Sequence, residues 1–261
     1  MLHRDKHMDY FLTIAASDNS GGAGIQQDIK VAHDHGYWAL SAITGITVQD
    51  FNSVYHTEPV SPEMLKKQIE RCLQSFPVKV VKIGTICSQG NIKVIAECIK
   101  RFPDKKIVLD TVLASTGGVP FLNDASRSFL TATLFPLTDL VTPNKTEFEL
   151  LAGQKFESLD EGINIAIEKN KKWGTSILLK GGHFSNEKIE EALVTSTDVY
   201  RFERERYTLK YSHGTGCTLS SAIACFLGKG EALQDAYLHG SAYVVDVFTR
   251  MSALAGSTAD K

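Results

Sequence analysis

Short apolar runs alternate with helical patterns along almost the whole chain, and few folds accept that rhythm. Runs at 10–16, 40–48, 78–84, 107–110, 140–142 and 176–180 are short, apolar and rich in β-branched residues. They read as buried strands. Between them, apolar residues recur at helical spacing. Ile25, Ile29 and Ala32 mark one helix, ending near His35. Ser61-Pro62 is an N-cap with proline at the first helical position, and Met64, Leu65, Ile69, Cys72 and Leu73 follow as its inner stripe. Further helices are expected at 91–102, through Phe148 and Leu151 up to Gly153, and at 160–173, 218–227 and 233–248. Strands this apolar need cover on both faces. The pattern therefore predicts an α/β fold, with a mainly parallel central sheet between two helical layers. The less regular segment 192–211 reads as an antiparallel hairpin. No repeat or linker interrupts the 261 residues. Residues 1–261 are expected to form a single domain, with loose tails at 1–9 and 256–261.

Composition removes several function classes. Lys and Arg (28) nearly balance Asp and Glu (30), giving −2. That argues against a surface built for nucleic acid or an anionic membrane. No apolar run approaches the length of a membrane span. Cys72, Cys87, Cys98, Cys217 and Cys225 are odd in number and show no CxxC spacing. A reducing cytoplasm is the expected compartment, without a disulfide framework or a cysteine zinc site. His33 and His35 lie two apart on a helix and face different ways, so they make a poor metal pair.

In sheets of this kind, ligands sit outside the carboxyl ends of the strands. The residues there are Ala16-Ser17-Asp18, Gln49-Asp50, Lys82 to Gly84, Asp110, Thr142 to Asn144, and Lys180-Gly181-Gly182-His183. Two glycine loops also open helices: Ser20-Gly21-Gly22-Ala23-Gly24 and His213-Gly214-Thr215-Gly216-Cys217. Glycine backbones let several N–H groups converge at a helix start, where an anion is favoured. The first loop fits a plain tight turn equally well. The second is followed by Thr218, Ser220 and Ser221, which favours the anion site. Neither loop carries the third glycine of the dinucleotide motif, and the chain has no GxxxxGK[ST] and no protein-kinase DFG or HRD.

The segments TIAASDNSGGAGIQQDIK, SAITGITVQD, VKIG, VLDTV, LVTPNKTEFELL, LLKGGH and HGTGCTLSSAIACFLGKG occur in this order. Together they resemble the hydroxymethylpyrimidine/phosphomethylpyrimidine kinases of thiamine biosynthesis, in the ribokinase-like superfamily. The likeness runs from about Tyr10 to about Phe248. It implies a ribokinase-like fold, MgATP as phosphoryl donor, and two successive phosphorylations. The acceptors would be 4-amino-5-hydroxymethyl-2-methylpyrimidine and then its monophosphate. It also implies a homodimer in the cytoplasm, with no nucleic-acid or membrane partner.

Residue roles follow from the same resemblance. Gly214, Thr215 and Gly216 form the anion hole for the migrating phosphoryl group. Cys217 stands where related kinases carry an aspartate base, and a helix N-terminus should lower its thiol pKa toward neutrality. Gln49 recognises the aminopyrimidine, whose ring nitrogen and amine match an amide's donors and acceptor. Ala16, Thr85 and Val112 line that pocket. Asp28 either contributes to it or orients the first helix. Glu147 holds Mg²⁺, with Asp110 as the second metal-side carboxylate. Asn144, Lys180 and Gly181 serve the ATP phosphates, Gly181 and Gly182 permitting close approach. His183 either reaches substrate or caps a turn, and adenine contacts are expected in the last third of the chain.

Ala16 replaces a common glycine of the family, and Thr85 a common methionine. Ser115 to Gly118 lack the usual lysine, a loss to which the second phosphorylation is the more exposed. Pyridoxal/pyridoxine kinase is the nearest alternative activity. A non-catalytic pyrimidine sensor is the alternative of another class.

Overall fold

The computed structural model describes residues 8–114, 120–181, 188–206 and 213–256, with side chains to 252. Strand β1 (Asp9–Asp18) leads through α1 (Gly24–Asp34) to β2 (Tyr37–Gln49), and β3 (Val54–Pro59) turns back beside it. Helix α2 (Pro62–Ser75), β4 (Val78–Ile83), α3 (Gln89–Ile99) and β5 (Lys106–Leu109) follow. Next come α4 (Asp124–Thr133), a 3₁₀ turn (Phe135–Leu137), β6 (Leu140–Val141), α5 (Lys145–Ala152), α6 (Leu159–Trp173) and β7 (Ser176–Leu179). The hairpin β8 (Lys188–Val194) and β9 (Val199–Glu205) precedes α7 (Thr215–Gly228) and α8 (Leu233–Gly256).

All nine strands form one sheet in the order β3-β2-β1-β4-β5-β6-β7-β8-β9. From β2 to β7 every pair is parallel, while β3, β8 and β9 run antiparallel to their neighbours. The chain leaves β1 toward β2 and returns on the other side at β4. That reversal is where such sheets open a crevice.

The period-two alternation of the strands divides the core. Leu12, Ile14, Val81 and Ile83 pack with residues of α2 to α6 on one face. Phe11, Val80, Val108 and Leu178 pack with α7 and α8 on the other. Close approach of α7 needs small residues, and Thr218, Ser220, Ser221, Ala222 and Ala224 are all buried there.

Two expected core residues are exposed. Ile29 and Met64 face solvent. In α1 the inner stripe is Ile25, Gln27, Asp28, Val31 and Ala32, because polar residues turn inward to meet α7. Gln27 donates to Thr218 at 2.9 Å. In α2 the inner positions are Leu65, Ile69 and Leu73, spaced as one narrow seam. Strand β3 and helix α4 have little apolar signal in the sequence; β3 has no buried residue and α4 buries only Ser126 and Leu130. The hairpin begins at Lys188 rather than 192. Helix α7 begins at Thr215, three residues early, and α8 continues past Phe248 to Gly256. Of the expected tails 1–9 and 256–261, Asp9 opens β1 and Gly256 ends α8, while residues 1–7 and 257–261 lie outside the described residues.

Beneath the carboxyl ends of β1 and β4 the α7-side face turns polar. Lys82 is fully buried and donates to Asp28 Oδ1 and Oδ2 at 2.8 and 3.0 Å. Thr13 donates to Asp28 Oδ2 at 2.6 Å and Ser221 to Oδ1 at 2.8 Å. One carboxylate thus joins β1, β4, α1 and α7. Removing one partner of a buried pair leaves an uncompensated charge. Lys82→Met is expected to destabilise the protein by about 3–5 kcal/mol in urea unfolding at neutral pH. A loss below about 1 kcal/mol would show that the pair does not hold these elements together.

Candidate active site

The strand ends and the two glycine loops enclose a cavity of about 400 Å³. Its walls include Ala16, Gln49, Thr85 and Val112 on one side. Asp110, Asn144, Glu147, Lys180 and Gly181 form the middle, facing Gly214, Thr215, Gly216 and Cys217. Of the site residues expected from sequence, Asp28 alone stands apart. It is fully buried in the ion pair with Lys82, so of its two expected places it takes the one that orients α1, behind the pocket.

The two glycine loops interlock. Gly214 has φ +85°, and a Cβ there would collide with the Gly22 carbonyl. A Cβ on Gly22 would strike the His213 ring. Asp18 ties the loops further. Its Oδ1 accepts from Ser20 N and Oγ at 2.7 Å each, and its Oδ2 accepts from Ala23 N at 2.7 Å. His213 Nε2 lies 3.1 Å from the same Oδ2. Burial works to raise the Asp18 pKa, but the bonds from Ser20, His213 and Ala23 outweigh it and hold the carboxyl below its ordinary range.

Cys217 sits on the first turn of α7, within the cavity wall. The expected low pKa is overturned here. Burial pushes the thiol up to about 11, and the nearby carboxylates of Asp28 and Asp110 push the same way. The Lys82 charge and the Gly24 N–H pull down without prevailing. Desolvation of the thiolate outweighs the helix terminus.

Opposite lies an acidic pair with one lysine. Asp110 Oδ1 accepts from Thr142 at 2.9 Å and Lys180 at 3.1 Å, and Ser220 donates to its Oδ2 at 3.3 Å. Burial opposes ionisation of Asp110, but the charges of Lys180 and Lys82 keep its pKa low. Glu147 differs. Burial raises it to about 7, and the Asp110 charge adds to that rise against the pull of Lys180. Thr111 donates to Glu147 Oε2 at 3.1 Å, and the Asn144 N–H donates to the same oxygen at 2.9 Å. The Asn144 side chain accepts from Glu147 N at 2.9 Å, closing a capping box on α5. The Asn144 amide oxygen is therefore committed to the helix start.

Gly181 lines the cavity and is also held close to β8. A Cβ there would collide with the Glu190 backbone. Gly182, His183 and Ser115 to Gly118 lie outside the described residues.

A hard divalent cation suits the acidic pair. Both groups offer carboxylate oxygens, and both line the cavity beside Lys180. Among the described residues no cluster of three or more His, Cys, Asp or Glu could hold a metal by itself. Magnesium, which commonly keeps waters and substrate phosphates as ligands, asks for less. Among the described residues no helix is long and apolar enough to cross a membrane.

Sequence reasoning missed several wall residues. Phe51 lies at the mouth, 54% exposed, its ring 6.0 Å from that of His213. Glu191, Arg204, Ser241 and Val244 form the far end. Phe51 follows Gln49-Asp50 directly, and that adjacency was the available signal. Arg204 lies in a run of alternating charges that reads as a solvated hairpin.

Residues 18–258 match the phosphomethylpyrimidine kinase family. The chain belongs to that family. It is 34% identical over 212 residues to the hydroxymethylpyrimidine/phosphomethylpyrimidine kinase of Aquifex aeolicus, a match covering 81% of this chain and 83% of that one. Among solved structures it is similar to phosphomethylpyrimidine kinase from Clostridium difficile 630. There the TM-score is 0.80 at 33% identity, over 91% of this chain and 98% of the other. It is also similar to Bacillus subtilis pyridoxal kinase, solved as an ADP complex, with TM-score 0.82 at 29% identity over 90% and 89%. The fold is thus ribokinase-like, and this family member is a phosphotransferase.

The Asp18 geometry yields a pH prediction. A depressed folded-state pKa gives stability that is present above the unfolded value, near 3.8, and lost as pH falls through the folded one. Asp18→Asn should destabilise by about 1–3 kcal/mol at neutral pH. In denaturant titrations the gap from the unsubstituted protein should narrow below about pH 4. A gap constant with pH would contradict the role of these bonds.

Proposed function

We propose that the protein transfers the γ-phosphoryl group of ATP to the hydroxymethyl group of 4-amino-5-hydroxymethyl-2-methylpyrimidine, and then to the resulting monophosphate. The observation carrying this reading is that Gln49 and the 214–217 turn line one cavity, with Lys180, Asp110 and Glu147 between the strand ends.

The roles follow from the chemistry. The Gln49 amide pairs with the aminopyrimidine edge, while Ala16, Thr85 and Val112 pack on the ring. The N–H groups of Gly214, Thr215 and Gly216 receive the migrating group at the α7 start, and losing one such donor costs about 3 kcal/mol of barrier. Lys180 neutralises the phosphates. Glu147 and Asp110 would hold Mg²⁺, which would neutralise phosphate charge during the transfer. Asn144 keeps Glu147 in place through the capping box. Cys217 takes the alcohol proton late in the transfer, when a loose transition state asks little of its base.

The same reading takes residues 1–261 as one catalytic domain acting as a homodimer in the cytoplasm. The exposed Trp38, Ile46 and Val48 on β2 support the dimer. Five free cysteines support the reducing compartment. Pyridoxal is the competing acceptor, because kinases of that substrate share the fold. The deciding measurement is kcat/KM for both alcohols with MgATP. A clear preference for the pyrimidine is expected, and a preference for pyridoxal would reject it. Pyrimidine binding without ATP turnover would favour the sensor alternative.

The thiol gives a second test. With its pKa near 11, the basic form is scarce at neutral pH and grows as pH rises. If Cys217 is the base, the first phosphorylation should accelerate by up to about tenfold per unit between about pH 7.5 and 9. Cys217→Ala should flatten that slope and slow the first step more than the second, because a phosphate monoester is already ionised. A flat profile in the unsubstituted protein, or equal losses in both steps, would leave Cys217 with a place in the anion hole only.

A further inference from the structure

The far end of the cavity is formed by β8, β9 and α8. Glu191 on β8 is 2% exposed, and its Oε2 accepts from the Tyr237 hydroxyl of α8 at 2.6 Å. The same oxygen accepts from Arg204 Nε of β9 at 3.2 Å. The Tyr237 ring lies 4.2 Å from Phe202, centroid to centroid. A carboxylate this deeply buried needs such partners. Fixing Nε also fixes the plane of a guanidinium, which is rigid and flat. The Arg204 side chain is 33% exposed and lines the same cavity as Lys180 and Cys217.

Position decides what that plane would meet. Gln49 ends β2 on one side of β1, whereas β8 and β9 lie beyond β7 at the opposite end of the sheet. Between them stand Lys180 and the 214–217 turn. The acceptor and the phosphates therefore have their own walls. Arg204 lines the cavity together with Leu219 and Val244, apolar side chains that suit a base better than a phosphate. Pairing with Glu191 also spends part of its charge.

We propose that Arg204 contacts the nucleoside part of the phosphoryl donor, its fixed guanidinium plane receiving the face of a purine base, with Glu191 and Tyr237 as positioning residues. It rests on the cavity being an ATP-dependent kinase site.

The test uses the full chain, with adenosine and inorganic tripolyphosphate as competing probes against ATP. Arg204→Ala should raise KM for ATP and the inhibition constant of adenosine about 3- to 30-fold. The constant for tripolyphosphate and KM for the pyrimidine should stay within about twofold. Arg204→Lys keeps a cation beside Glu191 and so protects folding, but it loses the flat face. It should weaken adenosine to nearly the same extent. Tyr237→Phe removes one donor from Glu191 and should weaken adenosine about twofold, leaving tripolyphosphate unchanged. An unchanged adenosine constant in Arg204→Lys would overturn the proposal, as would equal weakening of both probes. Should the unsubstituted protein fail to phosphorylate the pyrimidine, the kinase reading fails by itself. Calorimetric titration of adenosine into the unsubstituted and Arg204→Lys proteins would still decide the role of the arginine.

Discussion

The buried pair of Lys82 and Asp28 governs what the rest of the site can be. Taking two ions from water costs several kcal/mol each, and geometry must return it. Here both Asp28 oxygens are saturated, by Lys82, Thr13 and Ser221. Those partners come from β1, β4 and α7, while Asp28 itself comes from α1. The starts of α1 and α7 are consequently brought to one place. Unpaired N–H groups and a positive helix end belong to each start. The Lys82 charge also reaches Cys217 from behind. An anion-attracting corner follows from how the two helices are anchored, before any ligand is considered.

The opposite wall is biased the other way. Lys82 and Asp28 balance each other, leaving Asp110 and Glu147 against Lys180. Glu147 is raised to about 7 chiefly by its own burial, the Asp110 charge adding less than the Lys180 charge takes away. A bare polyphosphate entering this wall would meet net negative charge, whereas a cation-complexed one would not. This electrostatic bias is what recommends Glu147 and Asp110 for the proposed magnesium, since neither residue belongs to a preformed metal cage.

Much of this was legible in the sequence because strand ends and topology follow from periodicity. The runs ending at Asp18, Asp110 and Lys180 could be placed on one rim from their order alone. What remained hidden depended on tertiary direction. Asp28 and Ile29 are adjacent, and spacing favoured the apolar one. The fold buries Asp28 because Lys82 arrives from a strand far along the chain. Cys217 misled for a related reason. A helix terminus is visible locally, but the desolvation that outweighs it comes from tertiary burial, with Lys82 and Asp28 behind the thiol. Arg204 and Glu191 were masked by the charges around them, since an edge hairpin with alternating Arg and Glu reads as solvent-facing on both sides. The family resemblance supplied roles for Gln49, Lys180 and Glu147 that no periodicity could give.

The glycine loops show why local sequence cannot decide between a plain turn and an anion site. Gly22 is required by His213, and Gly214 is required by Gly22. Asp18 binds the first loop through Ser20 and Ala23, and meets the second through His213. Phe51, from the turn after Gln49, leans on both Gly22 and His213. That turn is itself fixed by Asp50, which accepts from Asn52, Ser53 and Tyr55. The amides at the start of α7 are therefore aimed by contacts between loops, and the acceptor side of the cavity shares those contacts. A flexible loop would lose part of its favourable electrostatics in reorganising around a migrating phosphoryl group. One braced from three directions holds its donors in position beforehand, and preorganisation of that kind is where most of the benefit of an anion hole lies.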